Sequence, residues 1–439
     1  MKAYSSKAAL LSNSTWSFLN QILRIASLAF ITIALSRHFG PQRFGSFIFG
    51  LAFVRIFSVI AAFGLDRVIV RHLLESPEQR STILRQAFLL KLTIAFASYL
   101  LMLIACAIGI SDRTTLAIAA LAGSGLLFRA FDVFDFAFQA EHRFRAIFMG
   151  RGLPILVSTS VKIAAIVANA PLLTFAALET VEAAMVGTAL FFAYRRSGSS
   201  LPLPPNTANT SMSMKQSRLL AEGFPLLLAS LAVMIYMRSD IIILGKLAGY
   251  TAAGIYSAAA QISEGCALLP MAFLPALFPL LVRWRKNGPE FYHRQFEKLF
   301  LGTIVVGLSI SLVLTLTAPF LIPLLFGQAY APAVTVLRIL GWAPTFVFIG
   351  IIQSGYDITE GLTWLATLRT SIGALINIAL NFLLIPIYGP TGAAIATLIS
   401  FVCSAFLLNF LEPKTRPIFG LQLRAMLVLP VLFRPLRYE

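Results

Sequence analysis

Residues 236–282 read YMRSDIIILGKLAGYTAAGIYSAAAQISEGCALLPMAFLPALFPLLV, two apolar runs joined by a short glycine-containing connection. About 20 residues at roughly 1.5 Å rise each cover the ~30 Å hydrocarbon core of a bilayer, so each run is long enough to cross one. The connection is short enough to make the pair a helical hairpin. Arg238 and Asp240 close the first helix, two positions apart; Asp240 can neutralise Arg238 in a structural ion pair, the alternative being a functional role for the arginine. Tyr256, Gln261 and Glu264 mark the second helix, which ends among Pro270, Pro275 and Pro279.

The rest of the chain has the same character. Hydrophobic residues make up 58% and charged residues 12% of the 439 positions, and mean hydropathy is +0.84. No class of soluble domain is that apolar, so the fold class is an all-α polytopic membrane protein. A net charge of +17 elsewhere suggests nucleic acid. Here the basic residues fall mostly in connections between apolar runs, where they report orientation, and no nucleic-acid partner is expected. Cys106, Cys266 and Cys403 lie far apart inside apolar segments, which indicates neither disulfide nor metal site. No cofactor is expected either.

A window of about 19 residues places twelve spans. They cover roughly 11–36, 44–64, 86–110, 114–138, 146–168, 172–194, 219–244, 254–282, 299–320, 332–354, 365–388 and 391–410. Between the sixth and seventh lies a Ser/Pro/Asn/Thr-rich stretch that reads as a flexible linker. The expected organisation is a six-helix lobe over 1–194, a cytoplasmic linker over 195–217, a second six-helix lobe over 218–411 and a cytoplasmic tail over 412–439. The halves echo each other: Gly40-Pro-Gln-Arg-Phe-Gly45 follows the first span and Gly249-Tyr-Thr-Ala-Ala-Gly254 the seventh. Repeats of this kind are common in transporters, which place the substrate site between the repeats; the two lobes are expected to be pseudo-symmetric around a central cavity.

With the N-terminus inside, one side carries Lys2, Lys7, Arg67, Arg71, Arg80, Arg143, Arg151, Arg195, Arg196, Arg218, Arg285, Arg369 and many others, the other only Arg37, Arg43, Arg113 and Lys246. That asymmetry predicts both termini in the cytoplasm and an even number of spans. The apolar run 426–433 is too brief to cross and is expected at the interface. No long external loop offers room for a catalytic domain, and no G-x-x-x-x-G-K-[ST] motif is present for ATP hydrolysis, so no enzyme activity is expected.

A charged side chain at the bilayer centre costs at least about 2.5–3.5 kcal/mol and so usually faces a cavity or a partner. Arg24 lies on a stripe with Asn13, Ser17, Asn20 and Ser27 at helical spacing, a polar face turned into the bundle. Arg55 is central in the second span with no acid three or four positions away. Arg129 has Asp132 one turn on, for an intrahelical pair, and Asp135 beyond it. Lys91, Lys162 and Arg338 lie near predicted span ends, where a long stem can snorkel; the alternative is that they face the interior. Glu179 and Glu182 could carry a coupling proton or pair with Lys162. Asn377 with Asn381, and Gln261 with Glu264, share faces that suit either sugar hydroxyls or contacts between helices. Arginine binds two phosphate oxygens at once and stays charged, so a cationic first lobe suits a lipid-pyrophosphate headgroup and suits a cationic drug badly.

The hairpin at 236–282, the paired glycine motifs and the intramembrane arginines together resemble the Wzx-type polysaccharide flippases of the multidrug/oligosaccharidyl-lipid/polysaccharide exporter superfamily. The resemblance implies a flippase in the cell inner membrane that moves undecaprenyl-pyrophosphate-linked oligosaccharide repeat units outward for O-antigen, capsule or exopolysaccharide assembly. Polysaccharide polymerase and chain-length machinery are the implied partners, beside the lipid-linked oligosaccharide and membrane lipids. It also implies a positively charged cavity, with Arg24 and Arg55 the leading anion contacts; the residues themselves add Arg129, Asn20, Asn377, Asn381 and Gln261 as further candidate substrate contacts. Asp132, Asp240, Glu264 and Arg238 are the ion-coupling or ion-pair candidates. An ion-coupled multidrug exporter of the same superfamily is the first alternative, and a membrane polysaccharide polymerase the second.

Overall fold

The computed structural model describes residues 7–197, 216–266 and 268–432, without the side chains of 7–14, 17–18, 268–276 and 428–432. The stripe positions Asn13 and Ser17, the linker 198–215, and Lys2, Lys7, Lys215, Arg434 and Arg437 therefore fall outside the described side chains. Among the described residues there are helices and no strands. In a bilayer every backbone N–H and C=O must be satisfied within the protein, and a helix does this within one segment.

The first half comprises α1 (Lys7–Ala62), α2 (Leu65–Glu75), α3 (Arg80–Gly109), α4 (Arg113–Gly123), α5 (Asp132–Ala140), α6 (Phe144–Ile147), α7 (Leu153–Val167) and α8 (Leu172–Arg196). The second comprises α9 (Gln216–Leu247), α10 (Gly249–Cys266), α11 (Leu268–Lys286), α12 (Pro289–Phe326), α13 (Ala333–Leu340), α14 (Ala343–Thr359), α15 (Thr363–Tyr388), α16 (Pro390–Val402), α17 (Leu408–Leu411) and α18 (Arg416–Leu432). Among the described residues, ten stretches are long and apolar enough to cross a bilayer. The first runs 57 residues through the break at Gly40, long enough for two passes; the span expected over 254–282 includes residue 267, outside those described. The hairpin at 236–282 is α9 turning at Gly249 into α10 and α11.

Besides the short 3₁₀ turns Pro77–Gln79 and Gln328–Tyr330, three longer stretches among the described residues are irregular. A 3₁₀ segment, Ser124–Phe131, joins α4 to α5, and π-helical turns occupy Phe148–Gly152 and Cys403–Leu407. Eight residues is long for a 3₁₀ run, and both kinds of irregularity concentrate at functional or strained positions.

The chain packs as two compact units, Met1–Phe39 with Ser46–Met234, and Gly40–Gly45 with Ile235–Glu439. The core of the first gathers Ile69, Leu84, Phe134, Phe138, Leu190 and Tyr194. That of the second gathers Tyr292, Phe296, Phe300, Ile352, Ile418 and Leu421, so α18 lies along α12 as part of the packed unit, and the run 426–433 is mostly the end of that helix. Gln353, Asn409 and Gln422, all buried, exchange amide hydrogen bonds of 2.7–3.2 Å that tie α14, α17 and α18 together. Beside them Arg369 is buried and hydrogen-bonded to Asp357. Counting it among basic residues of a cytoplasmic connection was incorrect: α15 begins at Thr363, so Arg369 sits nearly two turns inside a helix.

The paired glycine motifs meet within the second unit. A Cβ on Gly45 would lie 1.8 Å from the Tyr250 carbonyl oxygen, and one on Gly254 2.1 Å from that of Pro41. Backbone rests on backbone there, which only glycine permits. Gly254→Ala is expected to cost about 1–3 kcal/mol of folding stability, the range for overpacking. Gly302→Ala, at a helical site with nothing within 4 Å, is the control expected to change little. Thermal unfolding midpoints of the two variants in detergent check this.

Candidate functional site

Among the described residues, two of the clusters of charged and polar side chains inside the spans gather the candidate site residues, one in each unit. The first is assembled by the irregular helices. The 3₁₀ segment carries Arg129 into α5, which begins with Asp132 and continues to Asp135, and the π-turn carries Arg151. Arg151 Nη2 lies 2.8 Å from Asp132 Oδ1 and 2.6 Å from Asp135 Oδ2, bridging both carboxylates. Arg129 Nη1 approaches Asp132 at a looser 3.6 Å, so the expected intrahelical pair exists but is the weaker partner. Arg24 Nη2 donates to Gln21 Oε1 at 3.1 Å and lies within electrostatic reach of Arg129 and Arg151.

Arg24 and Arg129 are exposed, whereas the two aspartates are nearly enclosed. Asn20, one turn before Arg24, is half-buried and its Oδ1 has no hydrogen-bond partner. Lys91 Nζ adds a further positive charge acting on Asp132. These four basic groups outnumber Asp132, Asp135 and Asp66, which leaves a positive balance.

Arg151 was missed as a site residue and assigned to the cytoplasmic connections. The structure puts it in the π-turn between α6 and α7, where one extra residue per turn redirects the side chain onto α5. Its place inside the predicted span 146–168 is the one signal the sequence offers. Arg55 is half-buried and has a partner of its own.

The lysines also differ from the snorkelling expectation. Lys91 is 0% exposed; α3 starts at Arg80, so Lys91 lies three turns inside. Its ammonium sits 3.4 Å from Asp66 Oδ1 and 4.7 Å from the centre of the Phe136 ring. Lys162 is buried and bonds Glu179 at 2.7 Å and Glu182 at 2.8 Å, with Ser158 donating to Glu182 at 2.6 Å, so these acids are paired with the lysine. Arg338 is exposed, as snorkelling requires.

The second cluster surrounds Asp240, which is 3% exposed. Tyr256 Oη donates to its Oδ2 at 2.5 Å, Thr397 Oγ1 donates to the same oxygen at 2.8 Å, and Asn381 Nδ2 donates to Oδ1. Asn377 Oδ1 accepts from Ser239 Oγ at 3.2 Å and from Asn381 Nδ2 at 3.0 Å. Four helices, α9, α10, α15 and α16, thus converge on one carboxylate. Among the described residues no basic side chain pairs with it, and the Asn381 Oδ1 atom is buried without a partner.

The expected pair of Arg238 with Asp240 is corrected. Residues two apart on a helix project about 200° apart and cannot face each other. Arg238 instead reaches Glu264 on α10, with both nitrogen–oxygen distances at 3.3 Å. Asn377 and Asn381 share a face as expected, but both are fully buried and committed to Asp240, Ser239 and Thr397, which withdraws them as sugar contacts. Gln261 is half-buried on α10.

Residues 10–284 match the model of a family described as polysaccharide biosynthesis protein. The chain belongs to that family. A protein of Escherichia coli K12 assigned by name to O-antigen transport is 30% identical over 189 residues, 41% of this chain and 44% of that protein. An uncharacterised membrane protein of Methanocaldococcus jannaschii is 29% identical over 128 residues, 28% of this chain and 25% of that one. The matched stretch thus spans less than half the length of either curated relative.

Among solved structures, the lipid II flippase MurJ in an inward closed conformation superposes with a TM-score of 0.69 at 14% identity, over 96% of this chain and 92% of that one. An inward-facing multidrug resistance MATE transporter of the MOP superfamily gives 0.68 at 14% identity, over 92% and 95%. At such identities the likeness concerns the fold: this polysaccharide biosynthesis family member has the fold of MOP-superfamily transporters.

Proposed function

We propose that the chain is a flippase that carries undecaprenyl-pyrophosphate-linked oligosaccharide repeat units from the cytoplasmic to the outer leaflet of the inner membrane, by alternating access, in surface polysaccharide assembly. The observation that carries the reading is the pair of exposed guanidinium groups, Arg24 and Arg129, inside spans of the first unit beside the enclosed Arg151–Asp132–Asp135 cluster. A guanidinium exposed within a span faces water or an anion, because lipid would not accept it. Arg151 bridges the two aspartates, and Arg129, held only loosely at 3.6 Å from Asp132, and Arg24 remain within reach of phosphate oxygens.

The oligosaccharide is what makes a protein necessary, since each hydroxyl moved unpaired into alkane-like surroundings costs roughly 4–8 kcal/mol. A headgroup with about two negative charges gains roughly 5 kcal/mol on moving outward, driven by an inside-negative potential near 100 mV. Asp240 is the proposed coupling centre: its charge has no basic partner, and its neighbours are oxygen donors of the kind that hold a small hard cation. The charge asymmetry of the connections supports both termini in the cytoplasm. Polymerase and chain-length machinery are the proposed partners downstream.

The test is complementation of a deletion strain. With Arg24→Ala and Arg129→Ala combined, surface polysaccharide is expected to fall by about tenfold or more, each guanidinium–phosphate bond being worth roughly 1.5–3 kcal/mol. Membrane abundance should stay normal while lipid-linked repeat units accumulate inside. Full export by the double variant would sink the headgroup assignment, and a wild-type gene without effect on surface glycan would sink the flippase reading.

A further inference from the structure

A separate basic cluster lies where α2 meets the start of α9, within the first unit. α2 is amphipathic: Leu65, Val68, Ile69 and Leu73 are buried, His72 is buried beside them, and Arg71 stands half-exposed. Glu222, in the second turn of α9, faces this pair. Arg71 Nη2 donates to Glu222 Oε2 at 2.5 Å and His72 Nε2 lies 2.8 Å from the same oxygen. A carboxylate only accepts, so that histidine nitrogen carries its hydrogen. Arg218 Nε donates to Glu222 Oε1 at 3.1 Å. The remaining charge at the cluster is Glu75, at 3.7 Å from Arg71 Nε and 3.8 Å from His72 Nδ1.

Two guanidinium groups and an imidazole N–H from two helices therefore converge on both oxygens of a single carboxylate. That donor set is the one that recognises phosphate oxygens, and Arg71 and Arg218 are exposed enough to reach a ligand, while His72 is fixed by burial. The carboxylate also stands next to a tight backbone contact. A Cβ on Gly223 would lie 2.7 Å from the Phe63 carbonyl oxygen, and one on Gly64 2.8 Å from that of Gly223, so α9 rests directly on the turn between α1 and α2.

We propose that Arg71, His72 and Arg218 form a receiving site for a phosphate or diphosphate anion, and that Glu222 occupies it until such an anion displaces the carboxylate. Displacement frees the first turns of α9 from the turn at Phe63–Gly64. Reading the anion as the headgroup of the transported lipid rests on the proposed function; the donor chemistry is the same for a free anion. A diphosphate carries more charge than one carboxylate and bridges the two guanidinium groups, so it competes for the site despite the covalent tethering of Glu222.

The test titrates inorganic pyrophosphate against the purified full chain in nanodiscs, in an Arg24→Ala, Arg129→Ala background that removes the other anion site. Glu222→Gln keeps shape and one acceptor while removing the competing charge. It is expected to tighten pyrophosphate binding about three- to tenfold, because each exposed ion pair it forgoes is worth roughly 0.2–1 kcal/mol. Adding Arg71→Ala should abolish the gain. Unchanged or weaker binding by the Glu222→Gln protein, with an unaltered unfolding midpoint, overturns the proposal whatever the export assay returns. Amide exchange at 216–223 then identifies the source: faster exchange in nanodiscs containing a polyprenyl diphosphate, but not the matching polyprenol, assigns a membrane headgroup. Faster exchange with free pyrophosphate alone assigns a soluble anion, and no change with either refutes displacement of α9.

Discussion

Replacing Asp240 by asparagine is expected to leave the protein folded and to abolish the dependence of export on a cation gradient. The hydrogen bonds explain why the two outcomes separate. Asp240 is held by the hydroxyl groups of Tyr256 and Thr397 on one oxygen and the amide of Asn381 on the other. A hydroxyl can reverse and accept, so an asparagine Nδ2 can donate to Tyr256 or Thr397 while its Oδ1 keeps the bond from Asn381. Only the charge is lost. Asp240→Ala, by contrast, strands several buried donors at about 1–3 kcal/mol each and should lower stability measurably.

An ionised carboxylate within a span costs at least about 2.5–3.5 kcal/mol, and no basic residue among those described offsets it. On the proposed function, a proton or a bound cation accompanies it during part of the cycle. Uptake of a fluorescent or radiolabelled lipid-linked substrate into sealed vesicles, with imposed sodium or proton gradients, reads the coupling directly. Wild type should respond to one gradient, and Asp240→Asn should be at least about tenfold slower and respond to neither, the loss of one charged contact being worth about 1.4 kcal/mol or more. An Asp240→Asn protein with wild-type rate and gradient dependence would remove Asp240 from the mechanism.

The helices were readable because lipid imposes length and apolarity together: each span had to appear as an apolar run, and the Gly249 turn had to interrupt one. Which polar groups meet was readable only where helical spacing governs it. Arg129 and Asp132, three apart, do pair, and Asn377 and Asn381, four apart, do share a face. Arg238 and Asp240, two apart, could not, and each found its partner on another helix. Arg151 escaped because a π-turn departs from the 3.6-residue period on which such reading depends, and Lys91 because α3 starts well before its apolar run. The convergence of α9, α10, α15 and α16 on Asp240 is set by packing between distant segments, which no spacing within one segment encodes.

Arg151→Ala is expected to be the most damaging single change in the first unit, although Arg151 is the less exposed of the arginines there. It bridges Asp132 and Asp135, and without it Asp135 has only the 3.3 Å amide of Gln139, while Asp132 keeps the 3.6 Å contact with Arg129. Removing one partner from a buried ion pair typically costs about 3–5 kcal/mol. The freed Asp132 would also draw Arg129 in, withdrawing a guanidinium from the proposed phosphate contact. Arg151→Lys keeps the charge but replaces the planar fork by a point donor, so it should fold better and still export poorly. The decisive variant combines Arg151→Ala with Asp132→Asn and Asp135→Asn. The core of the cluster then carries no charge, so no unpaired aspartate is left to draw in Arg129. If Arg151 serves to hold the aspartates away from the other arginines, the triple variant should regain both its unfolding midpoint and most surface polysaccharide. Regained stability without export would show instead that Arg151 contacts the headgroup itself, and failure of even stability would mean that the cluster is a packing unit with no separable role in anion binding.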